Sequence, residues 1–427
     1  MGLFSFLFKN KTNIFYLSGT HFVNIFVAII TLPILLHLLP IEEYGKWQFM
    51  LALQTCVLTT SAQQITIGAK RGIALNKDGT FLYALLQRGK ILLITASFFL
   101  IGMCYFALTD RFTLSLLSGL SALYVFTNIL FQTSISEYFI AKKEFSKSAL
   151  WGILSSPVAR IGSTIVAILT QSIVFFVLFQ VAFALLISVI ACFHLFLKKR
   201  LWLEYRLGNY DRSCVKYGLK SLPADLLGAI SNRMVEIVIG VFFGFTPLTY
   251  FSVARDLRNQ IGSVIKIISP LLFADFVKQP LSSLTVRIRK LLPKMIFLSS
   301  FLGASGVGIG ILYILAFLPE TFRASINILI IISLAFPLGI PTLLFGTILQ
   351  AHLRYKALAL ATIVPNFLEI FFILVLGWIW GITGMAFAIA IFGFLSFLSH
   401  YLVTVKREAV INLFEKSGIL KKIMQIY

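Results

Sequence analysis

Charged side chains are scarce in the long apolar stretches of this chain, so the few that occur there mark where polar chemistry takes place. Arg160, Arg233, Arg255, Arg258 and Lys266 interrupt runs of Leu, Ile, Val and Phe, as do the acids Glu137, Asp225, Glu236, Asp256 and Glu369. A charge at the centre of a membrane helix costs at least about 2.5–3.5 kcal/mol, so such residues usually face a bundle interior or a wet cavity. Arginine offers a planar fork of donors that matches a phosphate bidentately. The cations therefore point to an anionic ligand such as a phosphate or pyrophosphate. The competing reading is that they form buried ion pairs that only hold helices together.

The elements that carry these residues follow from composition. Of 427 residues, 59% are hydrophobic and 12% charged, and mean hydropathy is +0.93, far more apolar than a soluble domain of this size. One spanning helix needs about 20 apolar residues. Apolar runs predict twelve helices, near residues 14–39, 44–68, 89–108, 114–140, 149–170, 173–197, 219–243, 248–274, 295–318, 324–349, 356–379 and 382–405. A soluble enzyme is excluded, and no room is left for a large domain outside the membrane.

The net charge of +21 is mainly a topology signal. Twenty-nine of the 37 Lys and Arg residues fall in the two termini and the even-to-odd connections, whereas the odd-to-even connections hold only Arg111 and Arg323, with Lys46 just inside the second helix. The positive-inside rule then places both termini and every basic loop in the cytoplasm. Cations split among short segments form no stripe for nucleic acid. The first apolar run is too long for a signal peptide and reads as a retained helix. Cys56, Cys104, Cys192 and Cys214 are scattered, with no disulfide framework or metal spacing. Gly303, Gly306, Gly308 and Gly310 lack a Walker lysine and read as a close-packing face. No cofactor or metal is expected.

Depth matching assigns partners. If the seventh and eighth helices are regular about a turn near residues 245 and 246, Glu236 meets Arg255 and Asp225 meets Lys266, while Arg233 falls beside Arg258 near mid-membrane. Arg255, Arg258 or Asn259, Gly262 and Lys266 share one helical face. In the first half Arg160 meets Ile129 and Asn128, neither of them an acid. Near mid-membrane Arg160, Arg233 and Arg258 stand against Glu369 alone, which predicts a cavity with surplus positive charge. Glu369, with Asn366 a turn away, either carries a coupling proton or sodium ion or pairs with a cation across the bundle. Asn128 and Gln132 either hydrogen-bond sugar hydroxyls or join helices. His21, His37 and His400 read as packed or interfacial.

Weak internal echoes (Tyr44 with Tyr250, Gln54 with Gln260) suggest two halves of like orientation, residues 1–205 and 206–427. The run Leu38-Leu39-Pro40-Ile41-Glu42-Glu43-Tyr44-Gly45 is followed by Gly68-Ala69-Lys70-Arg71. Tyr217-Gly218-Leu219, Asn232-Arg233, Ile239-Gly240 and Tyr250-Phe251-Ser252-Val253-Ala254 follow, then Gly381-Ile382-Thr383-Gly384-Met385-Ala386. In these segments the chain resembles the oligosaccharide or O-antigen flippases, the polysaccharide-export branch of the multidrug/oligosaccharidyl-lipid/polysaccharide superfamily. It departs from them at Val235-Glu236, where members often carry an aspartate and a basic residue. The resemblance implies an all-α integral membrane fold, twelve transmembrane helices in two six-helix bundles around a central cationic cavity, in a bacterial inner membrane. It implies movement of a polyprenyl-pyrophosphate-linked oligosaccharide, an O-antigen or capsule repeat unit, from the cytoplasmic to the outer leaflet by alternating access. Membrane lipids and a polysaccharide polymerase are the implied partners. Arg160, Arg233, Arg255, Arg258, Lys266, Asn259, Asn128 and Gln132 are the expected substrate contacts.

Two rivals remain. A proton- or sodium-coupled multidrug extruder of the same superfamily would favour central acids over cations, the opposite of the balance here. A membrane polysaccharide polymerase would need a sizeable outer loop for acid–base residues, and the odd-to-even connections are only a few residues long.

Overall fold

The computed structural model describes residues 11–59, 64–127, 134–195, 201–266, 276, 279–352 and 354–405. Among them there is no strand. The first helices are α1 (Lys11–Leu38), α2 (Ile41–Thr59), α3 (Gln64–Ala74), α4 (Gly79–Leu108), α5 (Phe112–Thr127), α6 (Ser134–Ala141) and α7 (Phe145–Ile153). A π-helical turn, Leu154–Val158, leads into α8 (Ala159–Thr170), α9 (Ile173–Phe193) and the short α10 (Leu201–Arg206). Then come α11 (Ser213–Phe242), α12 (Phe245–Lys266), α13 (Leu281–Phe317), α14 (Ala324–Ser333), α15 (Gly339–Ala351) and α16 (Tyr355–Val405).

Among the described residues, six helical stretches are long and apolar enough to cross a membrane: Gly79–Leu108, Phe145–Thr170, Ile173–Ala191, Ser283–Phe317, Glu320–Leu349 and Ala357–Val405. Their outward faces are apolar. Leu93, Ile94, Phe98 and Ile101 are exposed on α4, and Phe367, Phe371, Leu374 and Trp378 on α16. Apolar belts of this extent are stable only against lipid or a partner.

Helix ends are set by local backbone chemistry. Asn76, Asp110, Lys143 and Gly208 adopt left-handed φ values of 60°, 54°, 59° and 74°. At each, the next amide turns back to a carbonyl five residues earlier: Lys77 to Gly72 (2.9 Å), Arg111 to Phe106 (2.9 Å), Glu144 to Phe139 (2.8 Å) and Asn209 to Glu204 (3.1 Å). These Schellman closures satisfy carbonyls that a helix end would otherwise leave without donors.

Two predicted spans are interrupted rather than regular. The span expected over residues 149–170 contains the π turn around Pro157, and that over 324–349 breaks into a 3₁₀ turn at Phe336–Leu338 around Pro337. Proline has no N–H to close the ladder, so the backbone rearranges locally at both sites. The last two expected spans are joined by one residue, since α16 changes direction at Gly381 (φ 60°, ψ −139°).

The chain divides into two compact units, residues 1–229 with 236–249, and residues 230–235 with 250–427. In the first, Ile65, Ala69, Phe81, Leu85, Tyr138, Phe139 and Leu201 form a buried core. Polar contacts clasp its basic end. Asp78 pairs with Lys142 (2.6 Å), Lys70 pairs with Glu137, Asn209 Nδ2 donates to the Asn76 carbonyl (3.2 Å), and the Asp211 amide donates to Thr80 Oγ1 (2.9 Å). In the second unit, Leu284, Ile288, Phe336, Ile340, Leu344, Phe345 and Ile348 form the core. Of the α13 glycines, Gly306 faces Ile261 and Gly303 faces Phe336, so close that a Cβ would stand 2.5 and 2.6 Å from those side chains, whereas Gly308 faces open space. The expected close-packing face is therefore present at Gly303 and Gly306.

Two outcomes follow. Gly381→Ala forces an alanine into a backbone region that only glycine occupies readily, and should cost about 1–3 kcal/mol; Gly308→Ala should be neutral or slightly stabilising, since it meets open space and lowers the backbone entropy of the unfolded chain. Thermal unfolding in detergent should separate the two variants. Burial pushes the Cys214 thiol up to about 11, leaving roughly a hundredfold less thiolate at pH 8 than an ordinary thiol has. Maleimide should therefore label Cys214 slowly at pH 8 and faster as pH rises toward that value.

Candidate functional site

The second unit gathers most of the expected polar residues, through three stretches: residues 230–235 of α11, the body of α12, and α16 around Pro365. Glu369 is 3% exposed on α16, with Asn366 buried one turn before it, and accepts a hydrogen bond from the fully buried Ser231 hydroxyl. Arg255 donates from Nη2 to the Asn232 carbonyl. One turn on, the Arg258 guanidinium lies over the Phe336 ring, 5.6 Å from its centroid. Arg255 and Glu369 are both within electrostatic range of Arg258.

Phe336 is a fixed platform, and its position follows from the break at Pro337. The Ser299 hydroxyl donates to the Phe336 carbonyl and accepts from the Ile340 amide at 3.3 Å, bridging the irregular turn. Gly303 lets the Phe336 side chain approach α13, and Gly262, one turn beyond Arg258 on α12, lies 3.9 Å from the ring measured from where a Cβ would stand. A side chain at Gly303 would crowd the ring, whereas a Cβ at Gly262 would stand in ordinary van der Waals contact with it. A cation over an aromatic face in a desolvated site gains about 2 kcal/mol. That contact uses the guanidinium face and leaves its N–H edge to find acceptors. Arg258 Nε is shut off from solvent and has no hydrogen-bond partner among the described residues. A buried donor without an acceptor is costly, so the site is chemically suited to an incoming anion.

The other expected residues are distributed as follows. Arg233 is half-buried in the same unit, and Asn259 is exposed on α12. Lys266 ends α12, but its side chain lies outside the described residues, and Asn128 and Gln132 lie outside them altogether. Arg160 belongs to the first unit, directly after the π turn, and its Nε donates to Thr31 Oγ1 at 2.7 Å. Glu236, matched by depth to Arg255, is buried in the first unit; the Arg255 contact at Asn232 lies one turn before it.

Three participants escaped the sequence reading. Ser231 and Phe336 give no signal, being a small polar residue and one of 42 phenylalanines. Arg88 precedes the span expected near 89–108, yet it lies inside α4, 1% exposed, donating to Thr66 Oγ1 at 2.6 Å. Its signal was available: Phe81, Leu85, Arg88 and Leu92 recur at helical spacing on one buried face.

No protein-family model matches the chain, and no curated protein matches it. Solved structures do. A crystal structure of MATE in complex with MaL6 superposes with a TM-score of 0.63 at 14% identity, covering 94% of this chain and 97% of that one. The inward-facing conformation of a multidrug resistance MATE family transporter of the MOP superfamily gives 0.64 at 13% identity over 91% and 95%. A MOP superfamily transporter from Pyrococcus furiosus Vc1, whose binding pocket has a reverse polarity that suggests a different function, gives 0.60 at 14% over 94% and 96%. These neighbours are transporters, not enzymes. With near-complete coverage on both sides, the chain has the fold of the MATE transporters of the MOP superfamily.

Proposed function

We propose that the chain is a multi-pass membrane transporter for an anionic amphiphile, a polyprenyl-pyrophosphate-linked oligosaccharide carried from the inner to the outer leaflet. In this reading twelve spans form two six-helix halves, with both termini in the cytoplasm, and the cargo path opens alternately to each side. The observation that carries it is Arg258, whose buried Nε has no acceptor among the described residues while its face is held on Phe336. Arg255 and Arg233 add positive charge in the same unit, and the buried Glu369 offsets part of it. A pyrophosphate supplies several acceptor oxygens to such a set, and arginine binds it with geometric selectivity. The Pyrococcus furiosus neighbour supports the idea that this fold accommodates pockets of different polarity.

A second reading rests on a different observation. The neighbours include multidrug resistance transporters, and Glu369 is an acid buried within a helix long and apolar enough to span, the type of residue that carries a coupling ion. In that case the cargo would be a drug-like molecule and the arginines would mainly order the helices.

Surface polysaccharide and dye efflux separate the two. Arg258→Ala and Arg233→Ala should each abolish surface polysaccharide while leaving the protein in the membrane, and Arg258→Lys should restore it only in part. Normal polysaccharide in both alanine variants would sink the flippase reading. Energy-dependent efflux of a cationic dye by the wild type, lost in Glu369→Gln, would establish the extruder instead.

A further inference from the structure

We propose that α10 and the turn after it form a foot that binds the headgroups of anionic phospholipids, a site separate from the cargo path. The foot is firmly placed. Leu201 is buried in the core of the first unit. Gly79, the first residue of α4, lies so close beneath that a Cβ there would stand 2.9 Å from the backbone of Glu204 and Tyr205 and 2.7 Å from the Asn209 carbonyl. Tyr83 stacks on Tyr210 at 4.8 Å. Because Gly79 begins a helical stretch of 30 residues long and apolar enough to cross a membrane, α10 lies at the end of a membrane-crossing element.

Its outer side is amphipathic. Trp202 is 47% exposed and Leu207 71%, and Leu203 and Leu219 are also exposed. Beside them run exposed cations: Arg206, stacked over Trp202 at 5.2 Å, Arg212, stacked over Tyr210 at 5.5 Å, then Lys216 and Lys220 at four-residue spacing along α11. The two acids of this stretch are occupied, Glu204 by Asn209 Nδ2 at 2.6 Å and Asp211 by the Ser213 amide at 2.9 Å. Positive charge is thus presented outward next to an exposed tryptophan and leucines. Tryptophan favours the headgroup boundary, and basic residues beside it attract anionic lipid. A free phosphate would use the cations but not the apolar residues; a bilayer uses both.

The test uses the full chain in vesicles and needs no transport, so its outcome is independent of the cargo. Vesicles contain phosphatidylcholine alone or mixed with phosphatidylglycerol carrying brominated chains, and the Trp202→Phe variant isolates the signal of Trp202 from the other tryptophans. Bromine should quench Trp202 in the mixed vesicles. In the Arg206→Gln/Arg212→Gln double variant, phosphatidylglycerol should have to rise by roughly fivefold per lost charge to reach the same quenching. Equal quenching of wild type and double variant, no quenching of Trp202, or relief of quenching by millimolar inorganic phosphate would each overturn the proposal. An unchanged unfolding midpoint without phosphatidylglycerol confirms that the double variant is folded.

Discussion

A guanidinium held in an apolar interior is the constraint on which the second unit depends. An aromatic face lies below the Arg258 guanidinium and an acid within range of it, and its Nε has no acceptor among the described residues. The ring and the acid each have their own support. Phe336 is held by the Ser299 bridge and by the absence of a side chain at Gly303, and Glu369 is held by Ser231. The proline that breaks the helix at residue 337 therefore belongs to the site as much as the arginine does.

The first unit shows the same economy with different parts. Its basic end is ordered by left-handed helix ends at Asn76, Lys143 and Gly208 and by ion pairs between short connections. That arrangement leaves the apolar helix surfaces free to face lipid. It also places Arg88 inside α4, where its long side chain fills core space and its donors reach Thr66. Arg160, following the π turn at Pro157, is directed to Thr31. Irregular backbone precedes Arg160 in the first unit and carries Phe336 in the second, consistent with the association of such turns with sites of function.

Much of the helical organisation was legible in the sequence because the apolar runs match the length a bilayer requires, and most of the described residues of each run are helical. The breaks were not legible, because neighbouring helices resupply the hydrogen bonds a proline removes and tolerate it in a span. Candidate cations were visible as rare charges in apolar surroundings, and Arg255, Arg258 and Glu369 do come together in one unit. Depth matching set Arg255 at the level of Glu236, and Arg255 contacts the carbonyl of Asn232, one turn before it on α11. Phe336 stayed hidden because nothing in an apolar sequence separates a platform from packing.

The central claim is that the site around Arg258 takes the pyrophosphate of a lipid-linked cargo. Equilibrium binding of a short-chain polyprenyl pyrophosphate to the purified protein tests it most directly, with the corresponding polyprenyl alcohol as control. The account predicts saturable binding of the pyrophosphate that inorganic pyrophosphate displaces and that Arg258→Ala weakens roughly tenfold or more. Equal binding of the alcohol, or unchanged affinity in Arg258→Ala, would contradict it.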